Sequence, residues 1–198
     1  MKQHGMLELP VLGLLKERSM HGYELRKQLS TMLGPFWQVS WGSLYPALRR
    51  LAKAGAVEKM AESTKPRRAS RSTMPPPTMA RRKTVYRITP EGERLFSDLL
   101  EETAAAVDAE HFTLKLAFFR YLEPEARLTL LERRRAYLQE KLAQFKANLK
   151  EIGERIDNYT LSLQTHSMAA TESDLKWIDE LIIEERRATD SAGDLRNV

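Results

Sequence analysis

The chain has 198 residues, of which 42% are hydrophobic and 30% are charged, and its formal net charge is +5. Cysteine is absent, which excludes disulfides, thiolate metal sites and cysteine nucleophiles. The sequence has neither a signal peptide nor an apolar run long enough to cross a bilayer. We therefore expect a cytoplasmic, nucleoid-associated protein with no membrane partner.

The positive charge is concentrated in one segment, residues 61–83, which contains seven Lys or Arg and a single acid. An ordinary solvated charge run mixes signs, so this segment indicates a polyanionic partner. Each exposed cation can neutralise one phosphate of a nucleic acid. The candidate cations are Lys65, Arg67, Arg68, Arg71, Arg81, Arg82 and Lys83.

Apolar periodicity predicts three helices in the first part of the chain. The first begins near Glu8, where Pro10 fits a first turn, and the second covers residues 22–33. The third buries Leu44, Leu48 and Leu51 and ends before Gly55, a good residue just past a helix.

Pro46 sets the predicted start of the third helix, because proline is tolerated only in a first turn. A cap at Ser43 makes Pro46 the third helical residue, with no hydrogen bond lost. Ser40 is the alternative cap.

Two strands are predicted next, at residues 56–60 and 84–88, from their β-branched and aromatic content. The basic segment forms the loop between them. Thr89-Pro90-Glu91 is a strong helix start, and we expect this fourth helix to run from Pro90 to Ala109. Three helices, a strand, a loop, a strand and a helix form a winged helix-turn-helix.

The second half is predicted to be helical, with a short apolar helix over residues 111–122 and a long one after Pro124. In the long helix, apolar residues recur at alternating spacings of four and three, which is typical of a coiled-coil seam. A last helix carries Leu175, Ile178 and Ile182. We expect the seam to form the dimer interface, through Leu138, Leu142, Phe145, Leu149, Ile152, Ile156, Tyr159 and Leu163. The alternative is that it packs only within its own chain.

The predicted fold class is mostly α with a small β-hairpin. A winged helix-turn-helix DNA-binding domain covers residues 1–109 and has its basic wing at residues 61–83. A helical, coiled-coil dimerisation domain covers residues 110–190, and residues 191–198 form a tail.

Four motifs resemble the PadR family of transcriptional regulators, in the family's order. They are LGLL at residues 12–15, MHGYEL at 20–25, SWGSLYPALRRL at 40–51 and YRITPEG at 86–92. The resemblance implies a repressor that binds an inverted-repeat operator in double-stranded DNA as a homodimer. Two features depart from the family pattern. The wing is unusually long, and Trp41 stands where the family usually has a smaller residue.

Candidate DNA contacts follow from how such folds dock. A recognition helix enters the major groove with its N-terminus first, and the preceding helix crosses the backbone. The predicted contacts are Ser40, Trp41, Ser43, Tyr45, Arg49 and Arg50 on the third helix, and His21 and Tyr23 on the second. In the alternative interpretation, Trp41, Tyr45 and Tyr23 pack against the core and His21 is solvated.

The aromatic residues of the short helix, with one on the last helix, give a hypothesis for regulation. Hydrophobic aromatic ligands act on PadR-type proteins, so the resemblance implies a small planar effector. The candidate residues are Phe112, Phe118, Phe119, Tyr121 and Trp177. The alternative is that these side chains simply fill the core.

No catalytic constellation is found in the sequence. It has no glycine-rich phosphate loop and no metal-type histidine spacing, so we expect no catalytic residue, cofactor or metal. The competing hypothesis is a coiled-coil interaction protein whose basic loop binds a membrane surface or an acidic partner. An enzyme is the third and least supported alternative.

Overall fold

The computed structural model describes residues 5–34, 39–61, 84–102, 108–152 and 157–194. The chain divides into two compact units, Met1–Leu100 and Glu101–Val198. The seven candidate cations of the basic segment lie outside the described residues, as do Ile156 and the side chain of Ile152. The domain boundary after residue 109 stays a prediction.

The first unit is a winged helix built around a three-stranded antiparallel sheet. In chain order its elements are α1 (Glu8–Glu17), β1 (Met20–His21), α2 (Gly22–Leu33), α3 (Trp41–Lys53), β2 (Val57–Ala61), β3 (Thr84–Ile88) and α4 (Pro90–Glu101). The strand order is β1-β3-β2, with Val57 opposite Ile88 and Met20 opposite Tyr86. Strand β1 was not predicted, because two residues are too few to show a period.

The core of this unit is formed by leucines that recur at helical spacing. Leu12 of α1, Leu25 and Leu29 of α2 and Leu44 of α3 are fully buried, and Phe96 of α4 is 1% exposed. The predicted apolar stripes therefore meet in one core, which confirms the mostly helical class with a small sheet.

Helix α3 begins at Trp41, and its cap is Ser40, the predicted alternative to Ser43. The Ser40 Oγ accepts a hydrogen bond from the Ser43 N–H at 3.1 Å. Pro46 is therefore the sixth helical residue, and the expectation that it lies in the first turn is wrong. Pro46 cannot donate to the carbonyl of Gly42, but Leu44, Ala47 and Leu48 are buried, and this packing stabilises the helix. Gly55 has a φ of 75°, as a residue just past a helix should.

The second unit contains α5 (Ala109–Leu116), a 3-10 turn at Phe119–Tyr121, α6 (Pro124–Ile152) and α7 (Asn158–Asp194). The predicted helix from Pro90 to Ala109 is wrong, since α4 ends at Glu101 and Asp108 starts a new helix. The Asp108 carboxylate accepts a hydrogen bond from the His111 N–H at 2.8 Å, which is a normal helix cap. The predicted last helix is the second part of α7.

The predicted seam is divided between two antiparallel helices. Ion pairs join the start of α6 to the end of α7, namely Arg127–Glu185 at 2.9 Å and Glu132–Arg186 at 2.8 Å. A third, Lys146–Glu172 at 3.4 Å, joins the second half of α6 to the first half of α7. Residues 131–163 therefore do not form one continuous helix. The heptad spacing continues from α6 into α7, so periodicity alone could not show where α6 ends and α7 begins.

Asp157 marks the start of α7. Its carboxylate accepts hydrogen bonds from the backbone N–H groups of Tyr159 and Thr160 and from the Thr160 hydroxyl. The bond from the Thr160 hydroxyl lowers the pKa of Asp157 most, and the two backbone N–H bonds lower it further.

Within the part of the chain that the structure describes, no helix combines the length and the apolar character needed to span a bilayer.

Candidate nucleic-acid interface

A groove of about 1020 Å³ lies where the first turns of α2 and α3 approach β3. Its charged lining residues are the cations Arg18, Lys27 and Arg49 and the acid Glu24, and its aromatic lining residues are Tyr23, Trp41, Tyr45 and Tyr86. Cations beside aromatic faces suit a ligand that is both anionic and flat-sided, as nucleic acid is. We call this surface the recognition groove.

The hydroxyl groups of Ser40 and Ser43 both take part in capping α3. The Ser43 Oγ donates to the backbone carbonyl of Ser40 at 3.0 Å, and the two hydroxyl oxygens lie 3.1 Å apart. Both side chains are exposed, so the start of α3 is open to solvent. An exposed helix N-terminus attracts a phosphate through its free N–H groups and the helix dipole.

Trp41 and Tyr45 are 36% and 42% exposed, so part of each ring is accessible to a partner. Their rings stack, with centroids 5.4 Å apart and planes at 21°. The Tyr45 hydroxyl approaches the first turn of α2, where a Cβ on Gly22 would lie 3.6 Å from it. The recognition groove thus presents two stacked aromatic rings on its α3 side.

Tyr23 and His21, at the start of α2, differ in their surroundings. Tyr23 is 66% exposed and does not cap the core. His21 is half-buried, and its backbone N–H donates to the Glu24 carboxylate at 2.9 Å, which closes the first turn of α2. This bond, aided by Arg18 at 3.8 Å, lowers the pKa of Glu24. His21 therefore positions α2, whereas Tyr23 is free to contact a partner.

Arg49 and Arg50 are both exposed, but their contacts differ. Arg49 lines the recognition groove beside Tyr86, whose pKa is raised by burial. The Arg50 guanidinium is bound to the buried carboxylate of Glu8 at 2.7 Å, which ties α3 to α1. Arg50 thus joins α3 to α1, and both Arg49 and Arg50 stay candidate DNA contacts.

Three cations near the groove were not predicted. Arg18 and Lys27 line it, and Arg26 lies over the Trp41 ring with its guanidinium carbon 4.8 Å from the ring centroid. Arg26 and Lys27 lie outside the motifs that the sequence analysis examined. Their position on the polar side of α2, the helix expected to cross the DNA backbone, is the signal that would have found them.

The candidate effector residues separate into buried and exposed groups. Phe112, Phe118 and Phe119 are at most 8% exposed and fill the core of the second unit. Tyr121 and Trp177 are 36% and 41% exposed. The rings of Trp177 and Phe112 pack edge to face, with their centroids 6.5 Å apart. Trp177 therefore connects the surface to this aromatic core.

The predicted dimer residues also differ in exposure. Leu138 is buried within the single chain, and Leu142, Phe145 and Leu149 are half-buried. Tyr159 and Leu163 at the start of α7 are 90% and 63% exposed.

No group of His, Asp or Glu within the described ranges could hold a metal ion.

Comparison with protein families identifies both parts of the chain. The family described as transcriptional regulator PadR-like matches residues 11–98, which span α1 to α4. Residues 11–98 are therefore a PadR-like transcriptional regulator family domain. A second family, described as virulence activator alpha C-term, matches residues 110–184. The PadR family consists of transcriptional regulators rather than enzymes, so the enzyme alternative is set aside.

Solved structures of other regulators are similar over most of the chain. Bacillus subtilis PadR in complex with operator DNA is 18% identical and has a TM-score of 0.37, over 91% of this chain and 99% of that one. A PadR-like regulator from Bacillus cereus is 17% identical and has a TM-score of 0.39, over 91% and 98%. A regulator from Clostridium thermocellum is 23% identical and has a TM-score of 0.38, over 59% and 90%. No protein of curated function matches the chain.

Proposed function

We propose that this PadR-like regulator binds an inverted-repeat operator as a homodimer and represses transcription. The recognition groove carries the proposal. It places the exposed aromatic residues Trp41 and Tyr45 and the cation Arg49 along one face of α3, next to an open helix N-terminus. Exposed aromatic side chains beside cations mark a binding surface rather than an ordinary solvated face.

In this proposal α3 enters the major groove with Ser43 and Tyr45 near the base edges. The first turn of α2, with Tyr23, lies along the phosphate backbone. The wing of residues 61–83 adds seven cations that follow the phosphates or enter the minor groove. Arginine suits the minor groove, where the negative potential is strongest.

The dimer is proposed to form through the apolar stripe of α6 and α7. Tyr159 and Leu163 leave most of their apolar surface in water in the single chain, and the half-buried Phe145 and Leu149 continue the stripe on α6. A second copy of the chain covers this surface. Pairing of two copies also accounts for an operator with two half-sites about one DNA turn apart.

Selection of bound fragments from the sheared genomic DNA of the source organism tests the proposed function. We expect enrichment of a small set of fragments that share an inverted repeat. Recovery of fragments without a common sequence would contradict a sequence-specific regulator and favour a general polyanion binder. A reporter gene behind a recovered operator then decides the sign of regulation. A rise in reporter expression when the regulator is present would show that it is an activator and not a repressor. The name of the C-terminal family describes its own members as activators.

We expect substitutions on α3 to lower the preference for the operator sequence, and substitutions in the wing to lower the affinity for any DNA. Tyr45→Ala or Ser43→Ala should weaken operator binding by about 1–3 kcal/mol, far more than binding to random DNA. Replacing Arg67, Arg68 and Arg71 by alanine should weaken both kinds of binding and lower the slope of log affinity against log salt, by up to about one unit per lost phosphate contact. Fluorescence anisotropy at several salt concentrations measures both effects. Arg94→Ala, which removes an exposed cation of α4, is the control. An unchanged slope in the triple variant would show that the wing does not contact DNA.

We also propose release of the operator by a small planar effector. The exposed Trp177 is in edge contact with the buried Phe112, so a flat ligand at this surface would contact the aromatic core. Bacillus subtilis PadR has been solved in complex with p-coumaric acid. That compound and other phenolic acids are therefore the first ligands to screen.

The effector test uses the three tryptophans of the chain. With Trp37 and Trp41 replaced by phenylalanine, Trp177 is the only reporter, and ligand binding should quench its emission. In the unmodified protein the same ligand should weaken operator binding by about 5- to 150-fold. A ligand that quenches Trp177 without changing operator affinity would contradict the effector proposal, because only a difference in affinity between two states shifts their equilibrium.

A further inference from the structure

Arg26 connects α2 to the start of α3 through two contacts. Its Nε donates a hydrogen bond to the carbonyl oxygen of Val39 at 3.0 Å. Its guanidinium carbon lies 4.8 Å from the centroid of the Trp41 ring. Val39 is 4% exposed and directly precedes Ser40, the cap of α3. Arg26 thus holds the residues on either side of that cap.

Trp41 extends this connection to the recognition residue Tyr45. The two rings stack at 5.4 Å and 21°, and they lie one helical turn apart on α3. The three side chains form a continuous series, which we call the Arg26–Trp41–Tyr45 stack. A small residue at position 41 would leave Arg26 and Tyr45 without a connection.

We propose that Arg26 is a positioning residue for DNA recognition: through Trp41 it holds the Tyr45 ring in the orientation that reads the operator. The proposal rests on the proposed function, since it explains how a residue assigned to DNA reading is oriented. It makes Arg26 and Trp41 determinants of sequence specificity, with Arg26 acting without a contact of its own to DNA.

The physical reason is preorganisation. A partly exposed tyrosine on a helix surface has several rotamers available, and ordering it on binding weakens the complex. Stacking on Trp41, which is itself held by Arg26, removes most of that freedom before DNA arrives. Arginine suits this role better than lysine, because its planar guanidinium can stack on a ring while its Nε donates a hydrogen bond.

Arg26→Ala and Trp41→Ala test the proposal, with affinities for operator and for random DNA measured at several salt concentrations. We expect Arg26→Ala to weaken operator binding about tenfold and random DNA binding less than twofold, with the salt slope unchanged. The double variant should be no weaker than Trp41→Ala alone, because both changes break the same stack. Near-ultraviolet circular dichroism should report loss of the ordered Trp41 environment in Arg26→Ala. Arg26→Lys, which keeps the charge but lacks the planar guanidinium, should restore little of the affinity.

Lys27→Ala is the matched comparison, since Lys27 is the next cation on α2 and lines the recognition groove. It should weaken both kinds of binding and lower the salt slope, as a phosphate contact would. The same pattern in Arg26→Ala would overturn the proposal in favour of a direct phosphate contact. A lower unfolding temperature with unchanged operator affinity would overturn it in favour of a purely structural role. The proposed function is tested separately, on the unmodified protein alone. It fails if that protein has no preferred DNA sequence.

Discussion

Replacing Tyr159 and Leu163 by glutamate should convert the proposed dimer to a monomer and weaken binding to the proposed operator by roughly two to four orders of magnitude. In a dimer, binding of one half-site makes binding of the second half-site intramolecular. The expected loss of affinity is large because a monomer lacks this advantage. Both side chains are mostly exposed in the single chain, at 90% and 63%, so two charges there should leave each chain folded. Analytical ultracentrifugation measures the mass, and anisotropy measures operator affinity.

Two controls make this experiment specific to the interface. Ser162→Glu adds a charge to an exposed position of α7 next to Leu163, and it should leave the mass and the affinity unchanged. Affinity for DNA that carries a single half-site should be the same for the double variant and the unmodified protein. A double variant that keeps its dimer mass would show that the interface lies elsewhere. Leu138 is unsuitable for this test, because it is buried within the chain and its replacement would unfold α6 and α7.

Gly92→Ala should destabilise the winged helix by about 2–3 kcal/mol, which is large for the addition of one methyl group. A Cβ at position 92 would lie 2.0 Å from the carbonyl oxygen of Ala56 and 2.8 Å from a side-chain carbon of Ile88. Backbone cannot move aside as a flexible side chain can, so α4 would have to shift away from the sheet. Urea unfolding followed by circular dichroism measures the loss.

The contacts of Thr89 explain why this shift is costly. The Thr89 hydroxyl donates to the carbonyl of Gly55 at 2.6 Å and accepts from the Gly92 N–H at 3.1 Å. Its backbone N–H donates to the carbonyl of Ala56 at 3.1 Å. Gly42→Ala is the control, since only the Ser40 Oγ lies near, at 3.6 Å, and alanine in a helix is neutral or slightly stabilising there. Equal stability of the two variants would contradict the prediction.

Much of the first unit could be predicted from the sequence because its signals are local. The apolar period and the Gly34-Pro35 stop set the bounds of α2, and the β-branched content of residues 84–88 set those of β3. Proline after Thr89 set the start of α4. The four motifs indicated the PadR family, whose model matches residues 11–98. Trp41 and Tyr45 line the recognition groove, and their contact with DNA stays a prediction.

Other features were decided by tertiary structure, because they depend on residues far apart in the sequence. The Glu8–Arg50 ion pair joins α1 to α3 through two residues that are 42 positions apart. The Arg26–Trp41 contact depends on how two helices cross, which neither helix encodes alone. The heptad stripe was compatible with one long helix or with two antiparallel helices, since both bury the same spacing. The capping bonds of Asp157 and the ion pairs between α6 and α7 stabilise the second arrangement, so the sequence determined which residues are apolar and tertiary packing determined what they face.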